Sequence, residues 1–413
     1  MGPHHLSTTS STAPPSPLAP RPSPLVSSPL TSPLRVAGND LTLFVESAPL
    51  VAAMLRDIQT ARERVWLESY IFLDDSAGQA VAGALEERAR AGLDVRVHYD
   101  AIGCLSTPSM FFLHMKEAGV QVHAFHSFWE VFWRFPALRW LNRRNHRKLL
   151  VIDDGTAYFG GMNLVDQSGI HTYAELEVLP VSAGWRDVHV RMVGPRAAEA
   201  AESYERSWKL AKGLPVQRRP RQYRQARLAG ESESIQFFDS GPGAKHTRAA
   251  RIFIRLMRGA RHTLTFAMAY FLPVGRVLRE LLRAHKRGIF IRVVVPGESD
   301  VPVVQRATRH LYGRLLRKRF HIYERQRNML HSKVLVVDDE WSVLGSSNFD
   351  ARSLWYHYEF LAVVHSRNLA RALNQIVRDE IAQSHRITLR ETLARPWWQR
   401  LLDRLAWSVR WWL

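Results

Sequence analysis

One stretch of this chain occurs twice, and nothing else in the sequence limits the fold as strongly. HRKLLVIDDGTAYFGGMNL begins at His146 and HSKVLVVDDEWSVLGSSNF at His331, with His, Lys, Asp, Gly and Asn all recurring at an offset of 185 residues. The repeat extends upstream: GLDVRVHYD from Gly92 matches GIFIRVVVP from Gly288, and RVWLESYIF from Arg64 matches HTLTFAMAYF from His262. The runs LDVRVHYD and FIRVVVP are β-branched and of strand length, and helical patterns ending near Gly precede them. Such alternation predicts two similar α/β halves, each a mixed or mainly parallel sheet covered by helices. Packing the halves about a pseudo-twofold axis would place an active site between them.

The expected organisation follows. Residues 1–38 are rich in Ser, Thr and Pro, with nine of the 21 prolines between Pro3 and Pro33, and read as a disordered tail. The first half covers 39–212, a basic linker 213–232, the second half 233–390, and an amphipathic Trp-rich helix 391–413. Tyr70 and Tyr270 lie 200 residues apart, as do Val122 and Ile322, so the first half gains 15 residues just before His146. That insertion, near 127–145, mixes Phe128, Trp129, Phe132, Trp133, Phe135 and Trp140 with Arg134, Arg139, Arg143 and Arg144. It is read as a contact with a lipid headgroup boundary, against the alternative of extra core packing. In the last segment Trp397, Leu401, Leu405 and Val409 recur every four residues beside Trp398, Leu402, Trp412 and Leu413, with Pro396 in the first turn.

Charge narrows the partners. The chain carries 57 Lys+Arg against 38 Asp+Glu, a net charge of +19, which calls for nucleic acid or an anionic membrane surface. The single cysteine, Cys104, excludes an intramolecular disulfide and a Cys-based metal site. No continuous apolar run reaches the roughly 18 to 20 residues that span a bilayer, so any membrane contact is expected to be peripheral.

The repeated motif carries chemistry. Alternation along an extended segment sets His146 and Lys148 on one face, and likewise His331 and Lys333. Packing alone preserves apolar periodicity; it gives no reason to keep polar identities in two halves that have otherwise diverged. These residues resemble the phospholipase D superfamily signature, H-x-K-x4-D followed by Gly-Gly/Ser and Asn. The match is complete twice: His146, Lys148, Asp153, Gly160, Gly161 and Asn163, then His331, Lys333, Asp338, Gly345, Ser346 and Asn348. With RRNHRK, GGMNL, WRDVHVRMVGP from Trp185 and YFLP from Tyr270, the chain is most similar to the bacterial cardiolipin synthases of the B type, which lack transmembrane helices.

The resemblance implies phosphatidyl transfer between two phosphatidylglycerol molecules with release of glycerol, by a monomer containing an internal pseudo-dimer. It implies catalytic His146, Lys148, Asp153, His331, Lys333 and Asp338, with the N-terminal histidine forming a phosphohistidine. Metal-free cleavage of a phosphodiester needs a nucleophile, an acid for the leaving alkoxide and cationic donors around the phosphate. Lys148 and Lys333, with Asn163 and Asn348 as phosphate-binding neutral donors, fill the last role, so no metal or cofactor is expected.

Each histidine also needs an acceptor on its second ring nitrogen. Asp187 and Glu359, each at the start of an apolar strand after its motif, are assigned as orienters, the competing reading being a surface carboxylate. Asp153 and Asp338 lie seven residues past their histidines, about 23 Å along an extended strand, which favours a turn-stabilising role. Glu68 is a candidate for the pocket wall, and the second half has Met268 at the matching place. The expected location is the cytoplasmic face of the bacterial inner membrane, with anionic phospholipid and not nucleic acid as partner. Hydrolysis to phosphatidic acid, as by a phospholipase D, is the alternative, followed by a superfamily nuclease.

Overall fold

A computed structural model describes residues 32–125, 142–166, 184–216, 233–243, 247–326 and 328–413. The tail up to residue 31, the aromatic insertion from 126 to 141 and the linker from 217 to 232 lie outside the described residues.

Each half builds one eight-stranded mixed sheet. The first contains β1 (Leu34–Val36), β2 (Asn39–Phe44), β3 (Arg64–Ser69), β4 (Asp94–Asp100), β5 (Gln121–Phe125), β6 (Leu149–Ile152), β7 (Thr156–Gly160) and β8 (His189–Val193), in the order β1-β2-β8-β7-β6-β3-β4-β5. The second contains β9 (Ser234–Ser240), β10 (Thr263–Met268), β11 (Phe290–Pro296), β12 (His321–Arg325), β13 (Lys333–Val337), β14 (Trp341–Gly345), β15 (Glu359–His365) and β16 (Ser384–Arg386), in the order β16-β12-β11-β10-β13-β14-β15-β9. Seven strands correspond one to one. β3, β4 and β5 run parallel, as do β10, β11 and β12, while the repeated motif forms the antiparallel pairs β6–β7 and β13–β14. Each half then adds one edge strand of its own, β1 or β16, at opposite ends.

The central strands read as nearly unbroken apolar runs because both faces are covered. Leu149, Val151, Val334 and Val336 enter a core shared by the two halves, where Phe159 packs on Phe237 at 5.2 Å and on Phe360 at 5.9 Å between ring centroids. Their alternate neighbours enter separate outer cores, Leu150 and Ile152 in the first half, Leu335 and Val337 in the second. The helix following the last strand of each motif is exchanged in its contacts. Ala197–Ala211 packs on its own sheet and reaches β9, and Arg367–Ala382 likewise reaches β1.

Four expectations change. Leu34–Val36 pairs with β2 and Val36 is fully buried, so order begins within the segment assigned to the tail. The expected C-terminal helix is two helices, Leu389–Ala394 and Trp397–Ser408, and the first crosses the boundary drawn at 390. Pro396 is extended at ψ 142° and caps the second helix instead of lying in its first turn. The alignment of the early strands is one residue off: Glu68 pairs with Leu149 and Ala267 with Val334, so Glu68 corresponds to Ala267, not Met268. A one-residue slip exchanges the faces of a strand, and the matching Tyr70 and Tyr270 concealed it.

The last helix docks by one face on the helix Pro302–Leu316 of the second half. Only Asp403 and Ala406 of it are buried, Asp403 paired to Arg395 at 2.5 Å, with Trp407 stacked on His310 at 5.5 Å. Trp397 is 75% exposed, Leu405 56% and Trp412 58%, with Trp398, Leu401, Leu402 and Val409 also in solvent.

Candidate active site

Two isolated bridges between the halves build the site. Asn145 pairs with Tyr358 and Leu330 with Arg186, each bridge lying one residue before a motif histidine and one before an acidic residue. The backbone N–H of His146 donates to Tyr358 O at 2.9 Å, and that of Tyr358 donates to Arg144 O at 2.8 Å. The second crossing repeats this, with His331 N to Arg186 O at 2.6 Å and Arg186 N to Met329 O at 2.8 Å. Each histidine therefore meets the carboxylate of the opposite half. His146 Nδ1 lies 3.2 Å from both Glu359 oxygens, and His331 Nδ1 lies 2.6 Å from Asp187 Oδ2. All four groups are buried.

The lysines complete the cluster. Lys148 Nζ donates to His146 O at 2.8 Å and sits 5.0 Å over the Tyr70 ring. Lys333 Nζ is 3.3 Å from Asp187 Oδ2 and 2.7 Å from His331 Nδ1. Asn163 Oδ1 accepts the Ile71 N–H at 3.3 Å, while Asn348 Oδ1 is buried with no hydrogen-bond partner among the described residues. Four basic side chains and two carboxylates are thus buried together. Burial, then the charges of Lys148, Lys333 and His331, hold the His146 pKa well below its usual value; burial and Lys333 lower that of His331, against the pull of Asp187. Both ammonium groups are also shifted down, chiefly by burial.

The carboxylates differ. Burial pushes Glu359 up to about 7, with Lys148 and the Ser346 hydroxyl pulling back. Asp187 feels the same burial, but Lys333 and His331 overcome it and hold it below the usual carboxylate range. The small residues of the motif fit this difference. A Cβ on Gly161 would lie 2.2 Å from Asp187 Oδ1, whereas the equivalent Ser346 donates to Glu359 Oε2.

The motif aspartates do not join the cluster. Asp153 accepts the N–H groups of Arg62, Glu63 and Arg64, and Asp338 those of Arg261, His262 and Thr263, at 2.7–3.1 Å. Both sit at positive φ, 49° and 53°, at the far end of the strand that starts at the site. They close the turn into β3 or β10. The catalytic place that the resemblance implied for them is corrected, because a strand's length separates them from the histidines.

Other residues position the first histidine, and no duplicated pattern flags them. Asp100 accepts from Arg144 Nη2 at 2.6 Å and from Asn145 N at 2.8 Å; Glu68 accepts from Asn145 Nδ2 at 2.6 Å. Arg144, expected in a headgroup contact, is fully buried in this network, and so is Glu68, expected in the pocket wall. The second half has Ala267 and Pro296 in the equivalent places, so its histidine segment is held otherwise, by Arg186 bridging Glu46 and Glu380.

His357 is a further residue at the site. Its ring lies 5.6 Å from that of His146, tilted by 43°. It is 8% exposed, and neither ring nitrogen has a hydrogen-bond partner among the described residues. An unmet buried polar group costs roughly 1–3 kcal/mol, so its presence needs a reason. Burial, then Arg352 and His146, hold it well below the usual histidine range and neutral. His146, His357 and Glu359 bring donor atoms within 4.8 Å of one another, the only such group among the described residues. A cation there would sit against the Lys148 and Lys333 ammonium groups, and Glu359 is already engaged by His146 and Ser346. The donor set fits an anion better than a metal ion.

Residues 54–183 and 253–381 match the family described as cardiolipin synthase, PLD-like domain. The chain is 31% identical to cardiolipin synthase A of Erwinia tasmaniensis over 90% of this chain and 75% of the relative, and 30% identical to that of Serratia proteamaculans with the same coverage. It is 28% identical to the major cardiolipin synthase of Bacillus subtilis, over 89% of this chain and 74% of that one. Among solved structures, phosphatidylserine synthase from Haemophilus influenzae shares the fold with a TM-score of 0.68 at 14% identity, covering 94% of this chain and 98% of that one.

Proposed function

The chain belongs to the cardiolipin synthase, PLD-like domain family and is a phosphatidyltransferase, and we propose that it joins two phosphatidylglycerol molecules through a phosphohistidine on His146. The crossed histidine–carboxylate pairs are the observation that carries this reading, since they give two imidazoles with different protonation preferences over one phosphate. Glu359 occupies His146 Nδ1, which leaves Nε2 for phosphorus. Neutral His146, with its depressed pKa, has that lone pair available near pH 7.

In the first step the His146 nitrogen bonds phosphorus and the bond to the glycerol oxygen breaks, with the proton of His331 going to that oxygen. The ionised Asp187 favours the protonated form of His331, and the bound phosphate offsets the lysine charges that oppose it. In the second step a hydroxyl of another phosphatidylglycerol returns a proton to His331 and attacks phosphorus, freeing His146. Lys148 and Lys333, helped by Asn163 and Asn348, hold the non-bridging oxygens. The sum is two phosphatidylglycerols converted to cardiolipin and glycerol.

Purified protein with headgroup-labelled phosphatidylglycerol in anionic vesicles tests the reading. Cardiolipin plus glycerol is the expected product pair; phosphatidic acid plus glycerol would make the chain a phospholipase D. Turnover is expected to survive excess EDTA, and loss restored by magnesium would overturn the metal-free mechanism.

We read the enzyme as a peripheral protein of the cytoplasmic membrane face, monomeric, of the B type. No helix among the described residues is long and apolar enough to cross a membrane. The support is the exposed face of Trp397–Ser408, apolar and flanked by Arg400, Arg404 and Arg410. Apolar insertion is not screened by salt, unlike the attraction of a basic surface to lipid or DNA. Replacing Trp397, Trp398 and Leu405 together by Ser is expected to weaken vesicle binding at high salt by about tenfold or more while sparing a small soluble phosphodiester. These side chains support no core, so the fold should persist. Full retention of vesicle binding would remove this helix as the anchor.

A further inference from the structure

The two halves treat the ring beside each histidine differently. Two residues before Asp187 stands Trp185, whose ring lies 5.1 Å from His331 at a tilt of 44°; two residues before Glu359 stands His357, 5.6 Å from His146 at 43°. The geometry is a symmetric pair and the chemistry is not. Trp185 supplies an apolar face, and an apolar ring would serve equally to wall in His146. His357 instead puts one N–H and one lone pair, both without partners among the described residues, into a buried site.

Free acceptors are few in that site, the buried Asn348 Oδ1 being one. Lys148, Lys333 and protonated His331 are donors to the phosphate, the His146 lone pair is committed to phosphorus, and the carboxylates of Asp187 and Glu359 are taken up by the histidines. A glycerol headgroup brings hydroxyls whose protons need acceptors, and beside His146 the unmet ring of His357 is placed to take one of them. Glu359 does not release His357 from this need, because its Oε1 is 3.8 Å from His357 Nδ1, beyond hydrogen-bond reach.

We propose that His357 accepts a hydrogen bond from a hydroxyl of the substrate headgroup, which makes it a specificity-determining residue for polyol headgroups. The proposal rests on the phosphatidyl-transfer reading and deepens it. A polyol headgroup keeps a free hydroxyl for the buried ring, whereas a monohydric headgroup spends its one hydroxyl on the phosphoester and makes no such contact. The asymmetry between the halves then has a reason: the pocket wall beside His146 reads the headgroup, and the wall beside His331 only packs.

The test compares His357→Phe, His357→Gln and wild type on phosphatidylglycerol vesicles and on bis(p-nitrophenyl) phosphate, which has no hydroxyl. His357→Phe should lose about tenfold more kcat/KM on phosphatidylglycerol than on the diester, and its products should shift from cardiolipin toward phosphatidic acid. His357→Gln, which keeps an acceptor, should recover most of the selectivity. Equal losses on both substrates, or no loss on either, would overturn the proposal. Phosphatidic acid as the sole product of the wild type would instead remove the transferase reading, and the ratio of losses would still report on His357.

Discussion

His146→Ala and His331→Ala should each lower turnover of phosphatidylglycerol by at least about 10⁴-fold, and the double substitution should be no worse than either alone. Residues that act as a unit are not additive: once one is gone, the other has no step left to assist. The crossed pairing makes the dependence stronger than in two independent sites, because each histidine is held by the opposite half. The two variants should nonetheless differ in what they accumulate. With His331→Ala the nucleophile remains, and an activated substrate whose leaving group needs no acid, such as a p-nitrophenyl phosphodiester, should phosphorylate His146 and stall. With His146→Ala no phosphoenzyme should form. Acid-labile phosphate retained by His146→Ala and absent from His331→Ala would reverse the assignment of nucleophile and acid. Substantial turnover by either single variant would mean that the halves carry separate sites.

The reasons some of this site was readable in the sequence, and some was not, are physical. His146, Lys148 and Asn163 could be found because His331, Lys333 and Asn348 repeat them at one offset. Asp187 and Glu359 could be found because a carboxylate opening an apolar strand needs a partner. The crossing of the pairs was out of reach. It depends on two bridges, Asn145 to Tyr358 and Leu330 to Arg186, which join segments 144 residues or more apart and leave no local periodicity. Arg144 looked like a surface cation among aromatic residues, and its burial follows from Asp100, 44 residues upstream on the end of β4. Glu68 and Asp100 had no duplicated counterpart to flag them, and the one-residue slip between Tyr70 and Tyr270 matched Glu68 to the wrong partner. His357 carries no signal in the sequence, because its polar nature becomes informative only through the burial of both its unmet nitrogens.

Asp187→Asn and Glu359→Gln are substitutions at equivalent places, yet they should move opposite limbs of the pH profile. The wild-type kcat/KM is expected to rise with pH as Glu359 ionises, with a midpoint near its pKa of about 7, because only the carboxylate stabilises the positive charge that His146 acquires on bonding phosphorus. The sign follows from burial: a raised carboxyl pKa keeps Glu359 protonated, and unhelpful, below that pH. Glu359→Gln should therefore lower the plateau and abolish the acid limb. Asp187 is held below the usual range and is ionised throughout this interval, so it contributes no limb of its own. Its charge acts on His331, favouring the protonated form that releases glycerol. Asp187→Asn should shift the alkaline limb to lower pH and reduce kcat by about 10³ to 10⁴-fold, the scale seen when a catalytic histidine loses its orienting carboxylate. If instead Asp187→Asn abolished the acid limb and Glu359→Gln moved the alkaline one, His331 would be the nucleophile and the roles of the halves would exchange. Unchanged limbs in both variants would mean that the crossed carboxylates hold the histidines in place without setting their protonation.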